Sequence, residues 1–289
     1  MKTIDFINKE IKIHGLKNTY RILHVTDAHI VLWDERDEDT VITEGVHSGK
    51  KLASEFGARR ARHFVADGVT TNDRFAALCD YLQSQGSTVA DAVVFTGDIL
   101  DFYTDAAYDF MMENLNKLPV PYMFVMGNHD EIFSKHGTKS TLERFSSLCG
   151  GSYKIQKFRL GELALVGSYN GHYGYDDEVL GLISDAIEGE EHVLMFQHVP
   201  INSPSIEKFT EENGLHNIVI GAKDCQNKGN SRERIMELID REGSPVHALI
   251  CGDSHYDYSG QLSDRIMQFV SPLLLTHPPV LFTVKSSDS

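Results

Sequence analysis

Five apolar runs in this 289-residue chain each end in a short polar block, and every block carries residue types that bind metal ions. The runs are RILHVT, AVVFTG, YMFVMG, VLMFQ and ALIC. The blocks are Asp27 and His29 in TDAH, Asp98 and Asp101 in GDILD, Asn128, His129 and Asp130 in GNHD, His198 in FQHVP, and Asp253 and His255 in GDSH. Short β-branched or aromatic runs that stop at glycine or a polar turn read as buried strands. In an open α/β sheet the loops leaving the carboxyl ends of neighbouring strands converge on one crevice, where such folds hold their ligands. Five such loops can therefore build one polar site.

Helical and strand patterns alternate between the blocks. Apolar residues at three and four spacing predict helices over 73–85, 105–118, 177–187 and 231–242. Residues 154–170 alternate around a Gly-Glu turn and predict a hairpin, and MQFVSPLLL and PVLFTV supply further strands. Strands outnumber what one simple doubly wound sheet needs.

Carboxylates, imidazoles and a carboxamide together suit divalent ions of intermediate hardness such as Mn, Fe or Zn. Two ions held about 3.5–4 Å apart can clamp a phosphoryl group for in-line attack. The spacing of Asp27 with His29, and of Asp253 with His255, places each pair on one side of an extended backbone. Taken singly, each block has an ordinary structural reading, because Gly-Asp after a strand is commonly a turn and a lone His such as His198 is commonly a core or surface residue. An Asp that opens a helix, as Asp101 can, also reads simply as its cap.

In order, with GNHD intact, the blocks resemble the calcineurin-like metallophosphoesterase superfamily, whose pattern is DxH, GDxxD, GNH[DE], a lone His, then GHxH. The match runs from Asp27 to His255. The resemblance implies two stacked mixed β-sheets flanked by helices, a four-layer α/β/β/α sandwich formed as a single domain over 1–289, with insertions at about 30–75 and 201–230. It implies one divalent ion on Asp27, His29, Asp98 and His255, and a second on Asp98, Asn128, His198 and the residue at 253, with Asp98 bridging. His129 would donate a proton to the leaving oxygen, oriented by Asp130, with Asp101 supporting from behind the ligands. Metal-bound hydroxide would attack phosphorus. The family usually has His where this chain has Asp253, which moves the second site toward harder ions such as Mn or Mg.

Protein phosphatases of the superfamily carry Arg after GDxxD and Glu after GNH, whereas this chain has Phe102 and Asp130. That favours the branches acting on small-molecule and nucleotide phosphodiesters. A phosphomonoesterase, a nuclease of the superfamily and a non-catalytic scaffold of the same fold remain as alternatives. A net charge of −15, from 27 basic and 42 acidic residues, argues against an extended nucleic-acid or anionic-membrane surface. No GxxxxGK[ST], GxGxxG after a strand, or GxSxG is present.

Cys79, Cys149, Cys225 and Cys251 are scattered and never spaced CxxC, and MKTIDFINKE has no apolar leader segment. Both features suggest reduced thiols and a cytoplasmic setting. The insertions hold the candidates for substrate contact. Arg59, Arg60 and Arg62 in GARRARHF either reach a phosphate or lie on the water face of an amphipathic helix. Trp33 either stacks on a substrate ring or packs a lid. His172 and Tyr173 in NGHYGY complete the set. The pattern does not indicate an oligomeric state.

Overall fold

Alternation along the strands sorts the core into layers. In the computed structural model, which describes residues 4–43, 50–132, 138–216, 218–222 and 230–288, Ala92 and Val94 of strand Ala92–Thr96 face a second sheet, while Val93 and Phe95 face helices. Strand Tyr20–Val25 divides the same way, with Ile22 inward and Leu23 and Val25 outward. A strand buried on both faces reads as a continuous apolar run, which is why the runs before the polar blocks lack polar alternation.

The first sheet has spatial order Ile7–Ile13, Val280–Ser286, Tyr20–Val25, Ala92–Thr96, Tyr122–Val125. Val280–Ser286 and Tyr20–Val25 are antiparallel, and the other neighbours are parallel. The second sheet runs Tyr258–Gln261, Met267–Val270, Val246–Cys251, His192–Phe196, Leu163–Ser168, Ile155–Leu160, parallel except for its two edge pairs. Between the sheets Ile22, Val94 and Val125 meet Leu165, Leu194, Phe196 and Ile250. Helices Thr71–Gln85, Asp105–Leu115 and Thr138–Leu148 cover the outer face of the first sheet, with Phe75, Met111 and Phe145 buried there. Helices Asp177–Ile187, Pro204–Glu212 and Ser231–Ile239 cover the second through Ile183, Ile206 and Ile235. The expected order of helix, sheet, sheet and helix is the order observed.

The differences lie in short or half-exposed elements. Strand Ile7–Ile13 was not anticipated, because at this sheet edge exposed Lys12 and Asn8 interrupt the apolar signal. The run KKLASEFGARRARHF predicts one helix but gives strand Lys50–Leu52 followed by helix Ala53–Arg60. Helix 105–118 stops at Leu115 and helix 231–242 at Ile239. Val31, Ile42, Phe56 and Phe64 of the first insertion form a small core with Phe102 and Leu275. Trp33 closes onto helix Ala53–Arg60, where a Cβ at Gly57 would stand 2.4 Å from the indole, so the ring packs the insertion. Cys79, Cys149 and Cys251 are free and buried, and Cys225 lies outside the described residues. Among the described residues no helix is long and apolar enough to cross a membrane.

Candidate metal centre

The polar blocks follow strands Tyr20–Val25, Ala92–Thr96 and Tyr122–Val125 of the first sheet and His192–Phe196 and Val246–Cys251 of the second. Backbone hydrogen bonds lace their loops together. Asp27 N donates to Gly97 O at 3.0 Å, His29 N to Asp98 O at 2.8 Å, and Gly252 N to His198 O at 2.9 Å. The side-chain pairs do not share a side through extended backbone, as their spacing suggested. Asp27, His29, Asp98, Asp253 and His255 all sit at positive φ, between 46° and 62°. Asp and His tolerate this left-handed region better than most residues, yet each instance costs free energy, and such strain gathers at functional sites. The loops also approach at distances only glycine allows. A Cβ on Gly127 would lie 2.2 Å from Asp98 Oδ1 and 2.9 Å from His198 Nε2.

One cluster gathers around Asp27. Its Oδ1 is 3.0 Å from His255 Nε2 and 3.8 Å from His29 Nε2, and the two imidazole nitrogens are 3.3 Å apart. Its Oδ2 accepts from Thr26 Oγ1 at 2.6 Å and from Asp253 N at 3.0 Å, which locks the carboxylate plane. His29 Nδ1 meets Asp101 Oδ1 at 3.0 Å, which leaves Nε2 facing Asp27 and His255.

A second cluster gathers around His198, which is fully buried. Its Nδ1 donates to the Thr96 carbonyl at 2.6 Å, an acceptor that fixes the tautomer, so the Nε2 lone pair faces the site. That nitrogen lies 3.1 Å from Asn128 Oδ1, 3.3 Å from Asp98 Oδ1 and 3.4 Å from Asp253 Oδ1. Asp98 faces both clusters, because its Oδ2 is 3.9 Å from His29 Nε2.

His129 and Asp130 take different partners from those expected. Both Asp130 oxygens accept backbone amides, Oδ2 from Asp98 and Gly127 and Oδ1 from Leu100, each at 2.9 Å. Asp130 therefore holds the GDILD loop against the GNHD loop. The residue that meets the His129 imidazole is Asp101, whose carbonyl accepts from Nδ1 at 2.8 Å and whose Oδ1 lies 3.4 Å away. The physical reason is that Asp130 opens the short helix Asn128–Ile132, where its side chain turns back to free amides of its own and the adjoining loop.

The electrostatics call for cations. Burial opposes charge on Asp98 and Asp27, but the imidazoles around them outweigh it and hold both carboxyls below their usual range. Burial likewise opposes charge on His198 and His255, yet Asp98 and Asp27 raise both. Burial instead holds His29 below the ordinary imidazole range, which favours the neutral ring a metal ion requires. Donor separations of 3.0–3.4 Å are those of ligands about 2.1 Å from one ion at angles of roughly 90–110°. Among the described residues Asp27, His29 and His255 form one group able to hold a metal ion, Asp27, Asp98 and His198 another, and His29, Asp101 and His129 a third. The donor chemistry of these groups fits divalent ions.

A cavity of about 220 Å³ opens over the centre, lined by His29, Asp98, Asn128, His129, Asp253 and His255 and rimmed by Tyr173, His216, Ile218 and Ser254. Tyr173 OH donates to Asp253 Oδ1 at 3.2 Å. His172 turns away to Glu131 Oε2, 3.0 Å distant, and does not line the cavity. Arg59 lies over the Phe56 ring and Arg62 is exposed; neither lines the cavity. Arg60 instead reaches the centre through Asp101. His216 and Ile218 were not among the expected contacts, although the second insertion, one of the two segments expected to supply them, carries both.

A family model described as calcineurin-like phosphoesterase matches residues 20–222. The chain is 28% identical over 169 residues to a probable glycerophosphodiester phosphodiesterase of Arcobacter nitrofigilis, a stretch covering 57% of this chain and 56% of that relative. The chain thus spans little more than half the length of the curated relative it matches. In structure it is similar to a dimetal phosphatase from Danio rerio, with a TM-score of 0.53, 13% identity and 91% of each chain covered.

Proposed function

The chain belongs to the calcineurin-like phosphoesterase family, and we propose that it hydrolyses small-molecule or nucleotide phosphodiesters with two divalent ions. Asp27, His29, Asp98 and His255 would hold one ion, and Asp98, Asn128, His198 and Asp253 the other. Mn, Fe or Zn suits both sites, and the oxygen-rich second also suits Mg. When bound, such ions supply Lewis-acid charge to a phosphoryl group and lower the pKa of water for attack. The observation that carries this reading is Asp98, whose two oxygens face His29 and His198 at 3.9 and 3.3 Å.

His129 lines the cavity with Nδ1 anchored on the Asp101 carbonyl, so Nε2 is the atom that would carry a proton to the leaving oxygen. Burial disfavours charge on this ring, but in the metal-free centre Asp98 and Asp101 outweigh it and raise its pKa to about 9. Asp130 and Asp101 act as positioning residues.

Charge supports a diester. Two ions of about +4 together, set against Asp27, Asp98 and Asp253, leave about +1, which attracts a diester monoanion at less relative disadvantage than a monoester dianion. The likeness to a probable glycerophosphodiester phosphodiesterase agrees. The test is turnover of cyclic nucleotides, glycerophosphodiesters, nucleotides and simple monoesters, each with Mn, Fe, Zn and Mg. Faster turnover of diesters is expected. Faster turnover of monoesters would overturn the preference, and no metal-dependent turnover would overturn the enzyme reading.

A further inference from the structure

We infer that Arg60 and Phe64, both supplied by the first insertion, position the imidazoles of His29 and His129, acting through Asp101 and through a ring stack. The inference rests on the metal-centre reading above. Asp101 is fully buried, and Arg60 grips it with two near-parallel bonds, Nε to Oδ2 at 2.7 Å and Nη2 to Oδ1 at 2.5 Å. The same Oδ1 meets His29 Nδ1 at 3.0 Å and lies 3.4 Å from His129 Nδ1. That carboxylate oxygen therefore aims the His29 ring and lies beside the His129 ring, whose Nδ1 donates to the carbonyl of the same Asp101, and a guanidinium fork fixes the plane of the carboxylate.

A second contact restrains His29 from its face. Phe64 stacks on the imidazole with centroids 4.7 Å apart and planes 14° from parallel, and the Arg60 guanidinium sits 5.0 Å from the centre of the same Phe64 ring. His129 meets His29 edge-on at 4.8 Å. Guanidinium, phenyl and imidazole thus form a short stack whose far member is a metal ligand. Helix Ala53–Arg60 delivers Arg60 because Phe56 on its buried face is seated against Phe102, immediately after Asp101. The arginine that matters in GARRARHF thereby serves the ligands and not the substrate.

The test compares the full chain with Arg60→Ala, Arg60→Lys and Phe64→Leu in two measurements. Calorimetric titration of the metal-stripped proteins with Mn(II) reads ligand positioning without any substrate. Turnover of aryl diesters with graded leaving groups reads the placement of His129. Arg60→Ala should raise the Kd of the ion at the His29 site by about 10–100-fold and steepen the dependence of kcat on leaving-group pKa. Millimolar guanidinium should restore part of both in Arg60→Ala and neither in Phe64→Leu. Phe64→Leu should weaken metal binding with a smaller change in leaving-group dependence. Arg60→Lys keeps the charge and the aliphatic stem but loses the fork, so it should resemble Arg60→Ala more than wild type, and it carries the comparison if Arg60→Ala does not fold. Wild-type Kd values and leaving-group dependence in these variants would overturn the inference alone. A wild-type chain that binds no Mn(II) would instead overturn the metal-centre reading.

Discussion

Asp253 Oδ1 lies 3.4 Å from His198 Nε2, which sets a second carboxylate at the His198 cluster, beside Asp98, where the family pattern has an imidazole. Exchange for the neutral ligand, Asp253→His, removes one negative charge from the centre. With both ions loaded and verified by metal analysis, the variant should bind zinc more tightly at the second site, shift the alkaline pH optimum downward and raise the ratio of monoester to diester turnover. An unchanged ratio and pH profile in the loaded variant would show that the carboxylate does not face the ion.

Asp98 spans both clusters, so its loss should be felt twice. Asp98→Ala is expected to lower metal content at both sites and reduce activity by several orders of magnitude, whereas Asn128→Ala should lower it chiefly at one. Metal analysis of the purified variants checks this; two tightly held ions in Asp98→Ala would refute the bridge.

For His129 the expectation separates proton donation from ligation. His129→Ala should keep metal content near wild type while kcat falls by roughly 10²–10⁴, with a smaller loss for nitrophenolate than for alkoxide leaving groups. In the metal-free chain Asp98 and Asp101 raise this imidazole to about 9, so the proton is present below that pH and lost above it, and an NMR titration of the metal-stripped protein should show the His129 ring titrating in this range.

His24 gives a prediction about stability that is independent of turnover. It is fully buried between the sheets, with Nδ1 2.6 Å from Ser271 Oγ and Nε2 2.7 Å from Thr96 Oγ1. Burial lowers its pKa to about 3, so between about pH 6.5 and 3 the unfolded chain takes up a proton that the folded chain refuses. Its contribution to stability is complete above pH 6.5 and falls by about 1.4 kcal/mol per pH unit on acidification. Urea unfolding of His24→Leu from pH 6 to 4, in a chelator, should show a slope smaller by about that amount. Identical slopes would place the proton elsewhere.

The five polar blocks and the four-layer order were legible in the chain because both are written in local terms. A strand buried on two faces shows as an apolar run, and a polar block after it marks a loop at the strand's carboxyl end, whatever its partners. Short edge elements such as Ile7–Ile13 were illegible, since a half-exposed strand lacks that run.

Nothing local distinguishes which carboxylate answers which imidazole. Asp130 adjoins His129 in the chain, yet His129 meets Asp101, and Asp130 serves the amides of Asp98, Gly127 and Leu100. Arg60 stands among three arginines with one composition, and only the seating of its helix on Phe102 gives it Asp101. The left-handed turns at Asp27, His29 and Asp253 arise from hydrogen bonds between loops distant in sequence. The sequence by itself determined the residue types of the site and the layers that carry them, because hydrophobic period and donor chemistry are properties of single segments. Tertiary structure alone decided the pairings and their angles, because hydrogen-bond partnership depends on which loops the two sheets bring within about 3 Å of each other.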